Sequence, residues 1–270
     1  MGKKKKKLIE RWDSFLNNID ERFDEILEQA ELGTAQMIPN IEYDAISISN
    51  AWNGIKGQLY QLQEKTENTW DDKMDDLFGD RDDVSSKERI RELNKYEDLN
   101  YKLEKKFKRA YVKARADAGR KIYNDVQQHV DISKIHHCKQ CGDKMDIAIY
   151  SFMAKNIKCN TCGTVNSYQP DPRIQSLESH TIDALAEELV IDLLMKESDL
   201  VHNIHRLDDR RNKKGTKEKQ EQLGQELVVT RKERINKYYS FFETNVPDKA
   251  DYYSREKEER LKWAENLNNL

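Results

Sequence analysis

The stretch SSKERIRELNKYEDLNYKLEKKFKRAYVKARADAGRKIYNDVQQHV, residues 85–130, decides how the chain is built. Ile90, Leu93, Tyr96, Leu103, Phe107, Ala110, Ala114, Ala118, Ile122, Val126 and Val130 return at steps of three, four and seven residues. That spacing lays side chains along one side of an α-helix. Ser85-Ser86-Lys87-Glu88 reads as a capping box, in which the serine hydroxyl and the glutamate carboxylate satisfy free N–H groups of the first turn. The four-residue spacing of Ala110, Ala114 and Ala118 leaves room for another helix to come close. A helix of this length is a rod of roughly 65 Å at 1.5 Å per residue. Such a rod is longer than a compact domain, so an elongated molecule is expected.

Working outward, the same periodicity recurs on both sides. Leu8, Trp12, Phe15, Leu16, Ile19, Phe23, Ile26, Leu27 and Ala30 mark a first helix with an acidic opposite face, ending at Gly33. A short connection holds Pro39. A second helix is expected from about Asp44 to about Phe78. Ile48, Trp52, Ile55, Leu59, Leu62 and Thr66 give it a heptad seam suited to packing against another long helix. Its distal part is strongly acidic, and 79–84 is a break. Beyond the cysteine-containing segment, Asp171-Pro172 reads as an N-cap followed by proline in the first turn. A fourth helix then carries Ile174, Leu177, Leu185, Leu189, Leu193, Leu200, Ile204 and Leu207. Residues 208–219 are very polar and fit either a loop or a solvated helical bridge. A fifth helix fits Leu223, Leu227, Ile235, Tyr238, Tyr239 and Phe242, with Val246-Pro247-Asp248 as its stop. A last helix fits Tyr252, Tyr253, Leu261, Trp263 and Leu267.

Composition agrees with this picture. Of 270 residues 36% are charged, yet 47 basic against 50 acidic side chains leave a net charge of only −3. A wholly disordered chain would want a larger net charge and fewer aliphatic residues. Ten glycines and four prolines are too few for a turn-rich all-β chain. No run of apolar residues is long enough for a membrane span. The N-terminal Lys3 to Lys7 cluster has no apolar region after it, as a secretory signal would. The four cysteines all fall within 138–162, where a secreted disulfide scaffold would spread them. A reducing compartment, the cytoplasm, is the expectation.

The strongest chemical signal is Cys138-Lys139-Gln140-Cys141-Gly142, repeated after a spacer as Cys159-Asn160-Thr161-Cys162-Gly163. Two CxxC turns at this separation have the spacing of a four-thiolate zinc site. The glycine after each second cysteine allows positive φ, which lets backbone N–H groups face the sulfurs. Met145, Ile147 and Ile149 alternate with polar and small residues as in a strand. Residues 152–157 and 164–168 can add a second and a third. Residues 133–170 thus resemble the zinc-ribbon family, in which two CxxCG knuckles clamp one metal at the end of a small antiparallel sheet. The resemblance implies Cys138, Cys141, Cys159 and Cys162 as ligands of one structural Zn²⁺. It says nothing of role, because such ribbons serve many functions. Alternative readings of the four thiols are a catalytic zinc, a redox pair and an iron–sulfur centre. His136 or His137 could replace a cysteine.

Residues 102–121 carry a charge of +7 with Tyr101, Phe107, Tyr111 and Tyr123 interleaved. They fit a phosphate-binding face, with Lys105, Lys106, Arg109 and Lys113 as candidate nucleic-acid contacts. The acidity of the first two helices favours internal pairing instead. The N-terminal lysines fit a solubilising tail, a localisation signal or an anion-binding segment. Trp12, Trp52, Trp70 and Trp263 fit seam and core positions. His180, His202 and His205 lack any metalloprotease arrangement, and no P-loop, GxGxxG, GxSxG or kinase pattern occurs.

The expectation is a mainly α protein: an elongated helical coiled-coil bundle with a small inserted β zinc ribbon. Its parts are a basic tail (1–7), a long-helix region (8–132), the ribbon (133–170) and a C-terminal helical region (171–270). The leading function is a non-enzymatic scaffold or adaptor that mediates protein–protein interactions or self-association through its helical seams. The alternative is a factor that binds DNA or RNA through the ribbon and the basic helix.

Overall fold

The computed structural model describes residues 3–78, 83–129, 136–145, 153–208 and 214–265. These residues are mainly helical, with one two-stranded sheet among them. The chain divides into two compact units, residues 1–40 with 46–114, and residues 41–45 with 115–270.

The first unit holds α1 (Lys3–Met37), α2 (Ile46–Thr69) and the N-terminal part of α3 (Asp83–His129). Cross-helix pairs reveal the directions. Lys5 bonds Glu88 and Lys95 bonds Asp13, while Lys102 and Lys106 converge on Asp20. The sequence offset stays between 82 and 86, so α1 and α3 run parallel. Trp52 packs at a tilt against Phe107 and Tyr111, whereas Gln63 and Thr66 meet Asn100, so α2 runs against α3. The core between these helices is Trp12, Phe23, Ile48, Trp52, Leu59, Trp70 and Leu103, each almost fully enclosed. Three of the four tryptophans are thus core residues.

Several boundaries moved for tertiary reasons. The first helix starts at Lys3 rather than at Leu8, and Lys5 is held there by Glu88 and lies over the Phe78 ring. Gly33 does not end it. Thr34 is buried, donates to the Ala30 carbonyl and accepts the Trp52 indole N–H at 2.9 Å, which carries the helix on to Met37. The second helix changes winding at its end, through a wide π turn (Trp70–Met74) and a tight 3-10 turn (Asp75–Phe78). This brings Trp70, Met74 and Phe78 all inward. The third helix is already formed at Asp83, so Ser85 is not its N-cap, and Glu88 serves Lys5 instead. Ile90 is exposed although it lies on the apolar stripe. Val112 and Ala116 are buried although they lie off it, because the helix is enclosed on more than one side around 110–118. The expected break at 79–84 lies largely outside the described residues, as does Val130.

In the second unit, Asp171 caps α4 (Pro172–Leu177) by accepting the Arg173 N–H, as the sequence indicates. The expected single fourth helix is divided. A wide π turn (Glu178–Ile182) leads into α5 (Asp183–Leu189), and Val190, with φ −109°, separates that from α6 (Ile191–Asp208). The wide turn rotates the apolar face, so Leu189 points to solvent while Ala184, Ala186 and Val190 are buried. The C-terminal part of α3 crosses this segment closely. A methyl group on Gly119 would stand 3.2 Å from the His180 carbonyl oxygen and Thr181 Cα, and the Thr181 hydroxyl donates to the Gly119 carbonyl. Arg115 meets Asp183 and Glu187 on α5.

α7 (Lys214–Asn245) and α8 (Ala250–Glu265) complete the unit. Leu200, Ile204 and Leu227 form the α6–α7 core, flanked by Glu197, which Arg231 and Arg234 share. α7 ends at Val246-Pro247-Asp248 as expected, in a short 3-10 turn. Of the polar stretch 208–219, the residues from Lys214 on are helical, and 209–213 lie outside the described residues. Trp263 is not a core residue: it is 43% exposed, with the Arg231 guanidinium over its ring. Among the described residues no helix is long and apolar enough to cross a membrane.

Candidate metal centre

The two knuckles are built alike. The Gly142 N–H returns to the Cys138 carbonyl and the Gly163 N–H to the Cys159 carbonyl, each at 2.9 Å. The Cys138 N–H reaches the Asp143 carbonyl and the Cys159 N–H the Thr164 carbonyl. Gly142 and Gly163 have φ of 76° and 75°, and they alone among the described residues are left-handed. A side chain there would strain the turn that aims the sulfurs.

β1 (Lys155–Lys158) and β2 (Val165–Tyr168) pair antiparallel, with Ile157 opposite Asn166, as the hairpin that carries the second knuckle. A bridge between His137 and Lys144 closes the base of the first knuckle. The first expected strand lies mostly outside the described residues, but Met145 is buried against Cys138 and Cys159, with Ile157 beside them. This apolar centre is very small.

The four sulfurs lie within 4.8 Å of one another. Cys138 Sγ is 3.5 Å from Cys162 Sγ, and Cys141 Sγ is 3.6 Å from Cys159 Sγ, so each short pair joins one knuckle to the other. All four cysteines are free. Sulfurs placed tetrahedrally at about 2.3 Å from one ion stand about 3.8 Å apart. The donor set therefore fits a four-coordinate metal, and Cys138, Cys141, Cys159 and Cys162 can hold one. His136 packs edge-on against Tyr168 and His137 bonds the Gly142 carbonyl, so both histidines stand beside the cluster with other partners.

Electrostatics distinguishes the thiols. The backbone N–H groups of Cys141 and Gln140, with the Asn166 amide, hold the Cys138 thiol at about 6. The Thr164 hydroxyl and N–H pull Cys162 down. At Cys141 the Asp143 N–H also pulls downward, but the neighbouring thiols and burial push it up to about 12. Sulfurs this close share protons unless a cation replaces them.

One residue at the centre carries no signal in the sequence. Asn166 is buried on β2, accepts the Lys139 N–H at 2.9 Å, and directs its amide to Cys138 Sγ, Met145 Sδ and the Thr164 carbonyl. It ties both knuckles together. Only the cross-strand register, with Asn166 inward between outward Val165 and Ser167, could have pointed to it. Thr161 similarly bonds Asp143 across the knuckles, and Thr164 bonds Gln140.

The basic stretch 102–121 is engaged internally along much of its length. Lys106 bridges Asp20 and Asp24, Lys102 bonds Asp20, and Arg120 holds Asp117 and Glu188. Lys121 pairs with Asp125. Of the four candidate nucleic-acid contacts, Lys106 is thus paired and Lys105 lies over the Tyr101 ring. Arg109 and Lys113 are exposed.

Helical bundle and four-cysteine cluster together define the class: a mainly α protein with a small β insert that can bind a metal. No protein-family model, curated protein or solved structure matches the chain.

Proposed function

We propose that the chain is a non-enzymatic scaffold or adaptor whose ribbon is held by one structural Zn²⁺. The observation that carries this reading is the closed donor set. Four cysteine sulfurs occupy every corner of the tetrahedron, and a catalytic zinc needs one corner open. Zinc suits the site because four thiolates in tetrahedral array are its common structural environment. The metal supplies folding free energy that a centre of Cys138, Met145, Cys159 and Ile157 lacks, on the order of 10 kcal/mol in small zinc peptides. A ribbon so held is a rigid surface for another macromolecule.

A protein partner is favoured over a nucleic acid by the pairing of the basic helix. Lys102 and Lys106 are spent on Asp20 and Asp24, and Arg115 on Asp183 and Glu187. Cations so held offer little to phosphate.

Two measurements on the intact chain test the reading. Elemental analysis is expected to return one zinc per chain, lost in Cys141→Ser; a metal-free chain, or iron in its place, overturns the zinc assignment. Titration with single- and double-stranded DNA and RNA at low salt is expected to show no binding. Salt-sensitive binding that Lys105→Glu and Arg109→Glu abolish would replace the adaptor with the nucleic-acid reading.

A further inference from the structure

We propose that the cleft between the wide turn at Glu178, α7 and α8 binds a cationic side chain, of lysine or arginine type, from a partner polypeptide. The cleft has a volume of about 540 Å³, and no cysteine lines it. A second cleft of about 550 Å³ shares Glu178, Lys249, Tyr252 and Tyr253 with it, so the two make one continuous trough.

Its wall is an unbroken run of rings. Tyr239 and Tyr238 stand at right angles with centroids 5.3 Å apart, Tyr238 lies 5.2 Å from Phe242, Phe242 is 4.5 Å from Tyr253, and Tyr253 meets Tyr252 edge-on at 5.2 Å. Faces and edges presented together in this way suit a cation, which is drawn to the negative face of each ring. The phenols are tuned for that role. Tyr238 donates to Asp183 at 2.6 Å and Tyr253 to Glu178 at 2.5 Å, so each ring gains electron density from a carboxylate. Burial and those carboxylates hold both phenols above their ordinary range, and the rings stay neutral.

The trough already holds one cation of the chain's own. The Lys249 ammonium sits on both oxygens of Glu178, at 2.7 and 2.6 Å, beside Tyr253. That ammonium neutralises Glu178, so the spare negative charge of the trough lies at its rim. At the rim, the Asp251 and Glu256 carboxylates have no ion-pair partner among the described residues, the one cation lining that rim, Arg255, donates to the Asp251 backbone carbonyl instead, and Tyr252 is 49% exposed. A purely structural seam explains buried Phe242 and half-buried Tyr253. It does not explain an exposed ring flanked by unpaired acids. Glu178 also opens the wide π turn, a winding often retained at functional sites. An extended trough with one ammonium in place and spare negative charge at its rim fits a second cationic side chain on an extended segment.

This inference rests on the adaptor reading only in making the partner a polypeptide; the metal plays no part in it. The experiment uses the full chain and three probes: a short peptide alternating glycine and arginine, its glycine–glutamate counterpart, and tetramethylammonium. Binding is followed by calorimetry and by the tyrosine ring resonances. The arginine peptide is expected to bind and the glutamate peptide not, with tetramethylammonium competing at the same rings. Tyr252→Ala and Glu256→Lys are each expected to weaken peptide binding about tenfold. Both positions lie at the rim, so unchanged circular dichroism checks the fold. Glu31→Lys, the same charge change on α1, is expected to leave binding unaltered. Binding that survives both rim variants, or that Glu31→Lys weakens equally, overturns the site. Preference for the glutamate peptide, or no binding of any probe, does the same. Tetramethylammonium binding without peptide binding overturns the polypeptide partner while the zinc reading stands on its own elemental test.

Discussion

Replacing Asn166 separates a residue that holds the metal centre from one that only fills space. Asn166→Ala removes the amide donor to Cys138 Sγ at 3.4 Å and the acceptor of the Lys139 N–H at 2.9 Å. The lost Lys139 bond is replaceable by water, since Lys139 is exposed. The lost donor is not, since Asn166 and Cys138 are buried. A hydrogen bond to a charged group contributes about 1.5–3 kcal/mol, so about 2 kcal/mol of metal binding is at stake. That corresponds to roughly 30-fold in affinity, within the range for groups that support metal ligands. Asn166→Asp is nearly the same size and keeps an acceptor for Lys139, but points a carboxylate oxygen at the sulfur. It is expected to bind metal more weakly than the alanine variant. Competition against a chromophoric chelator, with Co²⁺ as a spectroscopic stand-in, reads both. An aspartate variant that binds as tightly as the parent would refute the reasoning, because size alone would then account for the residue.

Three further outcomes are expected. Gly119→Val should destabilise the fold by about 2 kcal/mol in denaturant unfolding, because even a Cβ would stand 3.2 Å from backbone of the Glu178–Ile182 turn. Gly54→Ala, in open space on α2, should instead stabilise by roughly 0.5–1 kcal/mol, and equal effects at the two sites would contradict the close approach. Lys106→Glu should cost about 1–2 kcal/mol by facing Asp20 and Asp24 with a like charge, and Asp20→Lys in the same chain should restore part of it; purely additive effects would show that the pair does not interact. The Arg173 guanidinium holds the Asp171 carboxyl at about 2, below its unfolded value. A depressed folded value means that its contribution is present above about pH 4 and lost as pH falls through about 2. Asp171→Ala should therefore cost about 1 kcal/mol at neutral pH, with the gap closing below pH 4, and a gap that widens on acidification would be the wrong sign.

Much of the architecture was legible because helices announce themselves locally. The seam Trp52, Leu59 and Thr66 repeats every seven residues and is buried as its period requires. Asp171-Pro172 caps a helix because a carboxylate and a ring that lacks an N–H satisfy its first turn without help from afar. The two CxxCG turns likewise contain their own geometry, down to the left-handed glycines. Helix ends were less legible. Gly33 looks like a stop until the Trp52 indole is seen bonded to Thr34, and the wide turns at Trp70 and Glu178 leave no mark in the period that precedes them.

By itself, then, the chain's order of residues determined which segments coil, which side of each is apolar, and that four thiols come in two matched turns. Those properties depend on neighbours a few positions away. Tertiary structure alone decided that α1 and α3 run parallel, that Lys102 and Lys106 face Asp20 and Asp24, and that Asn166 joins the two knuckles. It also decided that rings from two helices meet over Glu178. Each of these joins residues far apart in sequence, where no local rule relates one side chain to the other and only the packing of whole helices and strands brings them within reach.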